Sequence, residues 1–496
     1  MARLEPIEFR DCSPLDIEES EQVVQAFKNL SEYFAASSPE YKDDDEPILS
    51  LRTTFNSVEK RYETKWWAGR YIGLANIQVK KGKGMKDVQV SIRPRFGENF
   101  LLKIIEDVYK IRKPQNNADS FNISSDEWFS ALLNLLRRKM WVEKCAKANR
   151  YGLPRISVRC EHQGVNIKGT LDVRRSIMPW MMKTEVCSYA YEKTLDDKMC
   201  QIVYEAHRIL SRNVIDNRVG SKRKKTKGTT LTTSFHLPPA VKDTIDALNN
   251  KYKGKSFNVT ENEYHRIRYK SIYQTWKPLV DFSWSVIKGH RLGSRASDKQ
   301  TECVFVDMAE IWEAFLRKKL GEGFVDDGWR VLSVEECKYN IYQGKFFERL
   351  IIPDIILTRT NEKGESEYMV FDAKYKRMRI NSKNHGYDVD RTDLFQIHTY
   401  IQFVEHHLGH VVVGGLLYPL TRKGQDEEGN EVEFKIDSDK FHSAHLYGKE
   451  SGMYSNTPFI IDGVFCSESD DEEGNDKDAM DKNVMEMIER IKAYIE

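Results

Sequence analysis

The sequence predicts a protein of several domains with an α+β or α/β fold. Its 496 residues are too many for one ordinary hydrophobic core, so two or three domains are expected. Hydrophobic residues make up 40% of the chain and charged residues 31%, which excludes disordered and collagen-like chains. Short apolar runs typical of strands and longer stretches with helical spacing both occur, and together they favour this fold class.

The charge balance excludes binding that is driven by the net charge of the whole chain. Lysine and arginine number 77 and acidic residues 76, so the formal net charge is +1. Any contact with nucleic acid would therefore depend on local basic clusters.

The cysteines and the hydropathy pattern predict a cytoplasmic location. The eight cysteines are scattered and include no C-x-x-C pair, which is typical of reduced thiols. The first twenty residues lack the apolar segment of a signal peptide. No apolar run reaches the roughly 18 residues of a membrane-spanning helix, so no membrane attachment is expected.

The N-terminal part divides by composition into two predicted regions. Residues 1–60 are polar and predict a helical lead-in, and residues 61–290 predict a mixed α+β region. Apolar periodicity and turn residues predict a hairpin of residues 70–79 and 88–92 with a lysine-rich tip, and strands over 155–160 and 164–173. Capping-box spacing predicts helices over 124–148 and 197–212. Residues 238–290 are predicted to be mostly helical. The basic run Lys222–Lys227 is interpreted either as a solvated loop or as a phosphate contact.

Two apolar runs in the C-terminal third contain the residues that could carry out a reaction. Leu350–Leu357 and Tyr368–Tyr375 have the composition of buried strands and are separated by turn residues. If the turn is centred on Lys363, Asp354 lies directly opposite Asp372. Opposed side chains on paired strands have Cβ atoms about 5 Å apart.

Two carboxylates at that separation predict a cation site. Among apolar neighbours they repel each other unless a proton or a divalent cation lies between them, and oxygen ligands suit Mg²⁺ or Mn²⁺. Strand alternation places Lys374 on the same face as Asp372, where an ammonium can orient and help to deprotonate a water and can stabilise charge on a phosphate. This set predicts a hydrolase of phosphodiester bonds. The alternative is a surface hairpin with salt-bridged charges.

Two predicted helices flank this hairpin. In the helix over residues 304–320, Glu313 falls at the edge of the apolar stripe, either as a third metal ligand or as a glutamate that reaches into water. In the helix over residues 393–404, Gln396 and Tyr400 share one face. They are interpreted either as a pair that supports the site or touches a nucleotide, or as an ordinary half-buried pair.

The order of these motifs resembles that of the PD-(D/E)xK nucleases. Glu313, Pro353-Asp354, Asp372-Ala-Lys374 and Gln396-x-x-x-Tyr400 are similar to the RecB-like branch of that fold. The segments Asp307–Glu313 and Phe371–Lys376 are similar to McrC, the nuclease subunit of McrBC-type, modification-dependent restriction systems. Weaker similarity to the N-terminal half of McrC, in Trp67–Gly73, Ile92–Gly97, Ile167–Val173 and Thr194–Asp197, extends the resemblance over roughly residues 65–420.

The resemblance implies a Mg²⁺-dependent DNA endonuclease domain over residues 296–425, with a central mixed sheet flanked by helices. Residues 426–496 lie beyond it, and their composition predicts a C-terminal extension with an acidic tether and a short helix. The resemblance also implies roles for the following residues: Asp354, Asp372, Glu313 and the Ala373 carbonyl as metal ligands, Lys374 as the group that activates water, and Gln396 and Tyr400 as supports of the site. Residues 61–290 would dock in the ring of a separate AAA+ GTPase of the McrB type, which recognises modified double-stranded DNA. The chain itself contains no Gly-x-x-x-x-Gly-Lys-Ser/Thr motif and cannot supply that motor.

Two other functions stay open on the sequence alone. An adaptor would stimulate the motor ring and cut DNA feebly, as the size of the N-terminal half suggests. A stand-alone nuclease would cut DNA without a motor.

Overall fold

The computed structural model describes most of the chain and divides it into two compact units. The described residues are 7–14, 48–56, 61–81, 84–110, 125–219, 237–294, 303–334, 336–340, 350–376, 379–381, 386–421, 423–425, 431–433, 443–445, 457–466 and 477–495. The first unit comprises residues 1–35, 43–118 and 305–496, and the second comprises residues 36–42 and 119–304. The predicted region 61–290 therefore contributes to both units. Among the described residues, no helix combines the length and apolar composition needed to span a membrane.

The elements are numbered along the described residues. The strands are β1 (Ile7–Arg10), β2 (Leu49–Asn56), β3 (Arg61–Ala68), β4 (Tyr71–Lys81), β5 (Gly84–Arg93), β6 (Arg155–Gly164), β7 (Thr170–Leu171), β8 (Val186–Leu195), β9 (Val304–Asp307), β10 (Arg330–Val331), β11 (Tyr339–Asn340), β12 (Leu350–Ile351), β13 (Ile355–Thr360), β14 (Ser366–Ala373), β15 (Arg379–Asn381), β16 (Gly386–Asp388), β17 (His410–Leu420), β18 (Lys423–Gln425), β19 (Glu431–Glu433), β20 (Ser443–His445) and β21 (Pro458–Phe465). The helices are α1 (Gly97–Tyr109), α2 (Ser125–Ala148), α3 (Val173–Lys183), α4 (Asp197–Val219), α5 (Pro239–Tyr252), α6 (Glu261–His265), α7 (Lys277–Ser294), α8 (Met308–Phe324), α9 (Arg391–His407) and α10 (Lys477–Lys492), with 3₁₀ turns at Asn149–Tyr151 and Ser271–Trp276.

A six-stranded mixed sheet of the first unit has the order β10-β13-β14-β17-β21-β20. β13 and β14 form an antiparallel hairpin, and β14, β17 and β21 run parallel. Consecutive residues are buried along these inner strands, as expected of a sheet that is covered on both faces. α9 packs on the sheet through Ile397, Ile401 and Val404, in one core with Ile356 and Val370. The hairpin and α9 therefore hold fixed positions relative to each other.

The sheet reaches beyond the predicted nuclease boundary at residue 425. β21 is an inner strand of the sheet, and its Phe459, Ile460 and Val464 are buried. α10 packs against α8, in line with the short helix predicted near the C-terminus. Most of the acidic run at 467–478 lies outside the described residues.

The predicted helical lead-in is wrong for the described residues of that region. Ile7 and Phe9 of β1 are buried and alternate with exposed Glu8 and Arg10, which is the pattern of a strand, and β1 pairs in parallel with β5. β2 pairs with β3. The prediction relied on the polar composition of the whole segment, and residues 15–47 lie outside the described part.

A four-stranded sheet of the first unit has the order β1-β5-β4-β9. The predicted hairpin is confirmed, because β4 and β5 pair antiparallel. The helix predicted from residue 304 begins later, since Val304–Asp307 forms β9. Asp307 then caps α8 by accepting a hydrogen bond from the backbone N–H of Ala309 at 2.9 Å.

The second unit combines a helical core with a three-stranded antiparallel sheet of order β6-β8-β7. α2, α4, α5 and α7 share a core that includes Trp141, Trp276 and Trp284. The strand predicted over 164–173 is wrong for most of its length, because only Thr170 and Leu171 form β7 before α3 begins. α3 and β8 were not predicted, since many of their side chains are exposed. The Lys222–Lys227 run lies outside the described residues.

Candidate active site

The β13–β14 hairpin has the predicted register. Ile355 pairs with Phe371 and Thr360 with Ser366, so the turn is centred on Lys363. The side-chain oxygen of Asn361 accepts hydrogen bonds from the backbone N–H groups of Lys363 and Glu365, at 3.0 and 2.9 Å, and so closes the turn. Asp354 precedes the first paired residue and lies at the level of Asp372.

Asp354 is held against the opposite strand. Its Oδ2 accepts a hydrogen bond from the backbone N–H of Ala373 at 2.8 Å, and its backbone carbonyl accepts one from Arg317. Burial raises the pKa of Asp354 well above its ordinary range, and the negative charges of Asp372 and Glu313 raise it further. The structure thus brings three acidic groups close enough to influence one another.

Asp372 is almost completely buried, with 1% of its side chain exposed. Its Oδ2 lies 2.5 Å from Nζ of Lys374 as an ion pair. Within the described part of the chain, neither carboxylate oxygen has a hydrogen-bond partner with good geometry. A buried carboxylate with unused acceptor capacity is costly, and a bound cation would satisfy it.

Lys374 is fixed at both ends. Its backbone N–H donates to the carbonyl of Leu417 at 3.0 Å, and its Nζ donates to Oε1 of Gln396 at 2.8 Å. Burial lowers the pKa of Lys374, but the carboxylates of Asp372 and Asp393 raise it by more, so the net shift is upward. The side chain therefore presents a charged ammonium to the site.

Gln396 and Tyr400 share one face of α9 as predicted. Nε2 of Gln396 donates to Oη of Tyr400 at 2.8 Å while Oε1 accepts from Lys374. Burial raises the pKa of Tyr400 to about 12. The pair forms a short hydrogen-bonded chain behind the lysine, which orients the ammonium group.

Glu313 lies on α8 and is partly exposed, with 35% of its side chain accessible. Its Oε1 is 3.5 Å from a guanidinium nitrogen of Arg317, one helical turn away. Burial among protein atoms raises the pKa of Glu313, and Asp372 contributes in the same direction. Within the described ranges, no three His, Cys, Asp or Glu side chains are already arranged to hold a metal ion. The role predicted for Glu313 as a metal ligand stays a prediction.

Three further residues of the site were not predicted. Asp393, in the first turn of α9, lies 2.5 Å from Nζ of Lys376 through Oδ2 and 3.5 Å from Nζ of Lys374 through Oδ1. Oη of Tyr418 donates to Asp393 at 3.4 Å. Sequence spacing could have indicated two of them. Lys376 continues the alternation of Asp372 and Lys374, and Asp393 precedes Gln396 by three residues on a helix, so each shares a face with a predicted site residue.

The set of donors fits a hard divalent cation. Two carboxylates converge across the hairpin, one of them buried with unused acceptor capacity, and an acidic side chain borders them on α8. Mg²⁺ takes one or two carboxylates and keeps several waters, so this set of oxygen ligands is sufficient. The role predicted for the Ala373 carbonyl stays a prediction.

Comparison with known proteins identifies the family. A family model described as McrBC 5-methylcytosine restriction system component matches residues 68–419. The chain belongs to this family. No curated protein matches the chain.

Two solved structures of the same system are similar to this family member. One is a refined half-complex from a tetradecameric assembly of Thermococcus gammatolerans McrB AAA+ hexamers with bound McrC, with 13% identity, 98% of this chain and 100% of that chain covered, and a TM-score of 0.39. The other is the cryo-EM structure of the Thermococcus gammatolerans McrBC complex, with 14% identity, 64% of this chain and 88% of that chain covered, and a TM-score of 0.29.

Proposed function

We propose that this member of the McrBC family is the DNA endonuclease subunit of a restriction system and that its first unit has the PD-(D/E)xK nuclease fold. The observation that carries the proposal is the convergence of Asp354, Asp372 and Lys374 at the end of one hairpin. The parallel strand β17 and the flanking helices α8 and α9 support it, because they supply Tyr418, Glu313 and Gln396 respectively.

On this proposal, Asp354, Asp372, the Ala373 carbonyl and Glu313 would hold Mg²⁺, with Mn²⁺ as the possible substitute. The metal would supply Lewis-acid polarisation of the phosphate and a lowered pKa for the attacking water. The charged ammonium of Lys374 orients that water and stabilises negative charge that grows on the phosphate. Gln396 and Tyr400 keep the ammonium in place.

We propose double-stranded DNA that carries modified bases as the substrate, with 5-methylcytosine as the first modification to test. The description of the family names a 5-methylcytosine restriction system. The partner would be an AAA+ GTPase of the McrB type, because one similar structure holds McrC on McrB AAA+ hexamers and this sequence has no phosphate-binding loop of its own.

The second unit has a surface that suits a protein partner. α3 and the loop before β7 expose a group of large apolar side chains, namely Val165, Ile167, Val173, Ile177, Met178, Trp180, Met181 and Met182. Exposed apolar groups of this size are typical of interaction sites. This surface favours the adaptor function as a second activity of the same chain, and we propose that it binds the AAA+ partner.

The test separates cutting from stimulation. The full chain is mixed with the AAA+ protein of its own system, Mg²⁺, GTP and a plasmid that contains 5-methylcytosine, and both DNA cleavage and GTP hydrolysis are measured. Lys374→Ala and Asp372→Asn should abolish cleavage and leave the stimulation of GTP hydrolysis intact. Lys363→Ala, in the exposed turn of the same hairpin, is the matched control and should change neither.

Each alternative predicts a different result. An adaptor would stimulate GTP hydrolysis while the wild type leaves the plasmid uncut. A stand-alone nuclease would degrade unmodified plasmid with Mg²⁺ and no partner, whereas we expect little cutting there. Equal loss of cleavage and stimulation in Lys374→Ala would contradict the proposed division between the two units.

A further inference from the structure

The site contains a second lysine and a buried carboxylate that the roles assigned above do not use. Asp393 has only 7% of its side chain exposed and lies within ion-pair distance of both Lys374 and Lys376. Lys376 has 35% of its side chain exposed, and its Nζ also lies 3.6 Å from Oδ2 of Asp390.

The position of Asp393 answers a problem that metal binding creates for Lys374. In this structure the principal anion beside Lys374 is Asp372, at 2.5 Å. If Asp372 serves as a metal ligand, its charge is shared with the cation and its hold on the ammonium weakens. Asp393 and Gln396 then remain as the anion and the acceptor that keep Lys374 in place.

The partial exposure of Lys376 leaves its ammonium group accessible to a substrate. Asp393 engages one of the three N–H donors of Lys376, and an ammonium can donate to other acceptors at the same time. Lys374 and Lys376 follow the end of β14, and their Nζ atoms lie 3.5 and 2.5 Å from the two carboxylate oxygens of Asp393. Two cations held side by side by one carboxylate suit two neighbouring phosphates of a DNA strand.

We propose that Asp393 is a positioning residue that holds the ammonium groups of Lys374 and Lys376 side by side, and that Lys376 binds a DNA phosphate next to the one that is cleaved. This inference rests on the proposed nuclease function. An ordinary surface ion pair between Lys376 and Asp393 would contribute little to stability and nothing to DNA binding.

The first experiment measures binding without metal. The full chain is titrated with a short fluorescent DNA duplex in EDTA at several salt concentrations, beginning at low ionic strength. Lys376→Gln should weaken binding about 5- to 10-fold and make the slope of log K against log salt shallower by about 0.9, the loss of one phosphate contact. Lys376→Arg should retain both values, and Lys363→Gln, the matched charge change in the exposed hairpin turn, should leave binding unchanged.

The second experiment separates kcat from KM in the complete system with Mg²⁺. Lys376→Gln should raise KM about 5- to 10-fold with kcat within about 3-fold, since the contact is made equally in ground and transition states. Asp393→Asn should lower kcat about 10²-fold, because a small misplacement of Lys374 has an effect of that order. Tyr418→Phe, which keeps the charge of Asp393, should show a smaller loss, and Asp393→Glu should restore part of the kcat lost in Asp393→Asn.

Each outcome decides the inference. It is overturned if Lys376→Gln and Lys363→Gln have the same affinity and salt slope, including the case in which the wild type does not bind at all. It is also overturned if Asp393→Asn lowers the Tm but leaves kcat unchanged. A wild type that binds DNA in EDTA but does not cut with Mg²⁺ and the partner would instead contradict the proposed nuclease function. The binding measurement in EDTA would still test the role of Lys376.

Discussion

Replacing Gly414 should loosen α9 from the sheet and disturb the site that α9 completes. Gly414 on β17 lies beneath Ile401 of α9, and a Cβ atom there would overlap Cδ1 of Ile401 and come within 2.7 Å of its Cγ1. Ile401 is fully buried, so a movement of its side chain would disturb the core around it. Overpacking of this kind costs about 1–3 kcal/mol, and we expect Gly414→Ala to lose that much stability.

The structure supplies a compensating change. Ile401→Val removes the Cδ1 methyl that the new Cβ would overlap, at a cost of about 0.5–1.5 kcal/mol when made alone. In the double variant the two losses should not add, and the total should be smaller than their sum by about 1 kcal/mol. Urea unfolding of the wild type, both single variants and the double variant gives this coupling energy.

DNA cleavage is a second measurement of the same displacement of α9. α9 carries Asp393, Gln396 and Tyr400, so a shift of the helix moves the groups around Lys374. Gly414→Ala should therefore reduce cleavage, and Ile401→Val should restore part of it in the double variant. Gly164→Ala is the control, because a Cβ at that position would meet nothing within 4 Å. Additive unfolding energies, or an equal loss in Gly164→Ala, would refute this account of the packing.

Three other predictions concern acidity, metal binding and a buried hydrogen bond. Burial lowers the pKa of His207 to about 4, whereas its pKa in the unfolded chain is about 6.5. The stability that the neutral imidazole contributes to the folded state is therefore complete above pH 6.5 and is lost as the pH falls towards 4. The loss in the free energy of unfolding should be about 2 kcal/mol at pH 5. His207→Gln should flatten this part of the pH dependence of urea unfolding, and parallel curves for wild type and His207→Gln would rule the effect out. Mg²⁺ at about 100 times its Kd should stabilise the wild type by about 2.7 kcal/mol and raise its Tm. The Tm of Asp372→Asn should not rise. Equal Tm shifts in the two proteins would argue against Asp372 as a ligand. Ser283→Ala should lower the free energy of unfolding by about 1–3 kcal/mol, because it removes the hydroxyl that accepts the buried indole N–H of Trp141 at 2.9 Å. Ser285→Ala, the control, removes only a hydrogen bond to its own helix and should cost less. Equal losses would show that the buried indole hydrogen bond does not explain the effect.

The parts of the fold that the sequence predicted are those whose information is local. The β13–β14 register follows from two apolar runs and from the turn residues between them, and a one-residue slip would reverse the faces of Asp372 and Ala373. The pairing of Gln396 with Tyr400 follows from helical spacing alone. Both are confirmed by the structure.

The parts that the sequence did not predict depend on distant or exposed segments. β21 joins β17 after a long intervening stretch, and no local pattern in Pro458–Phe465 identifies its neighbour. β1 is a four-residue strand whose short alternation is hidden in a polar region. Helical spacing places Asp393 near Gln396, but its contacts with Lys374 and Lys376 depend on how α9 packs on the sheet, which no local pattern specifies.

Three acidic side chains of the site are paired with cations of the protein itself. Asp372 is paired with Lys374, Glu313 with Arg317, and Asp393 with Lys376. Without these partners, bringing several carboxylates close together in a largely buried site would cost several kcal/mol in mutual repulsion and lost hydration. On the proposed function, metal binding is therefore an exchange in which a divalent ion takes over carboxylates that lysine and arginine already hold. Such an exchange keeps the affinity for the metal moderate and leaves Lys374 charged and adjacent to the phosphate, held by Gln396 and Asp393 instead of by Asp372.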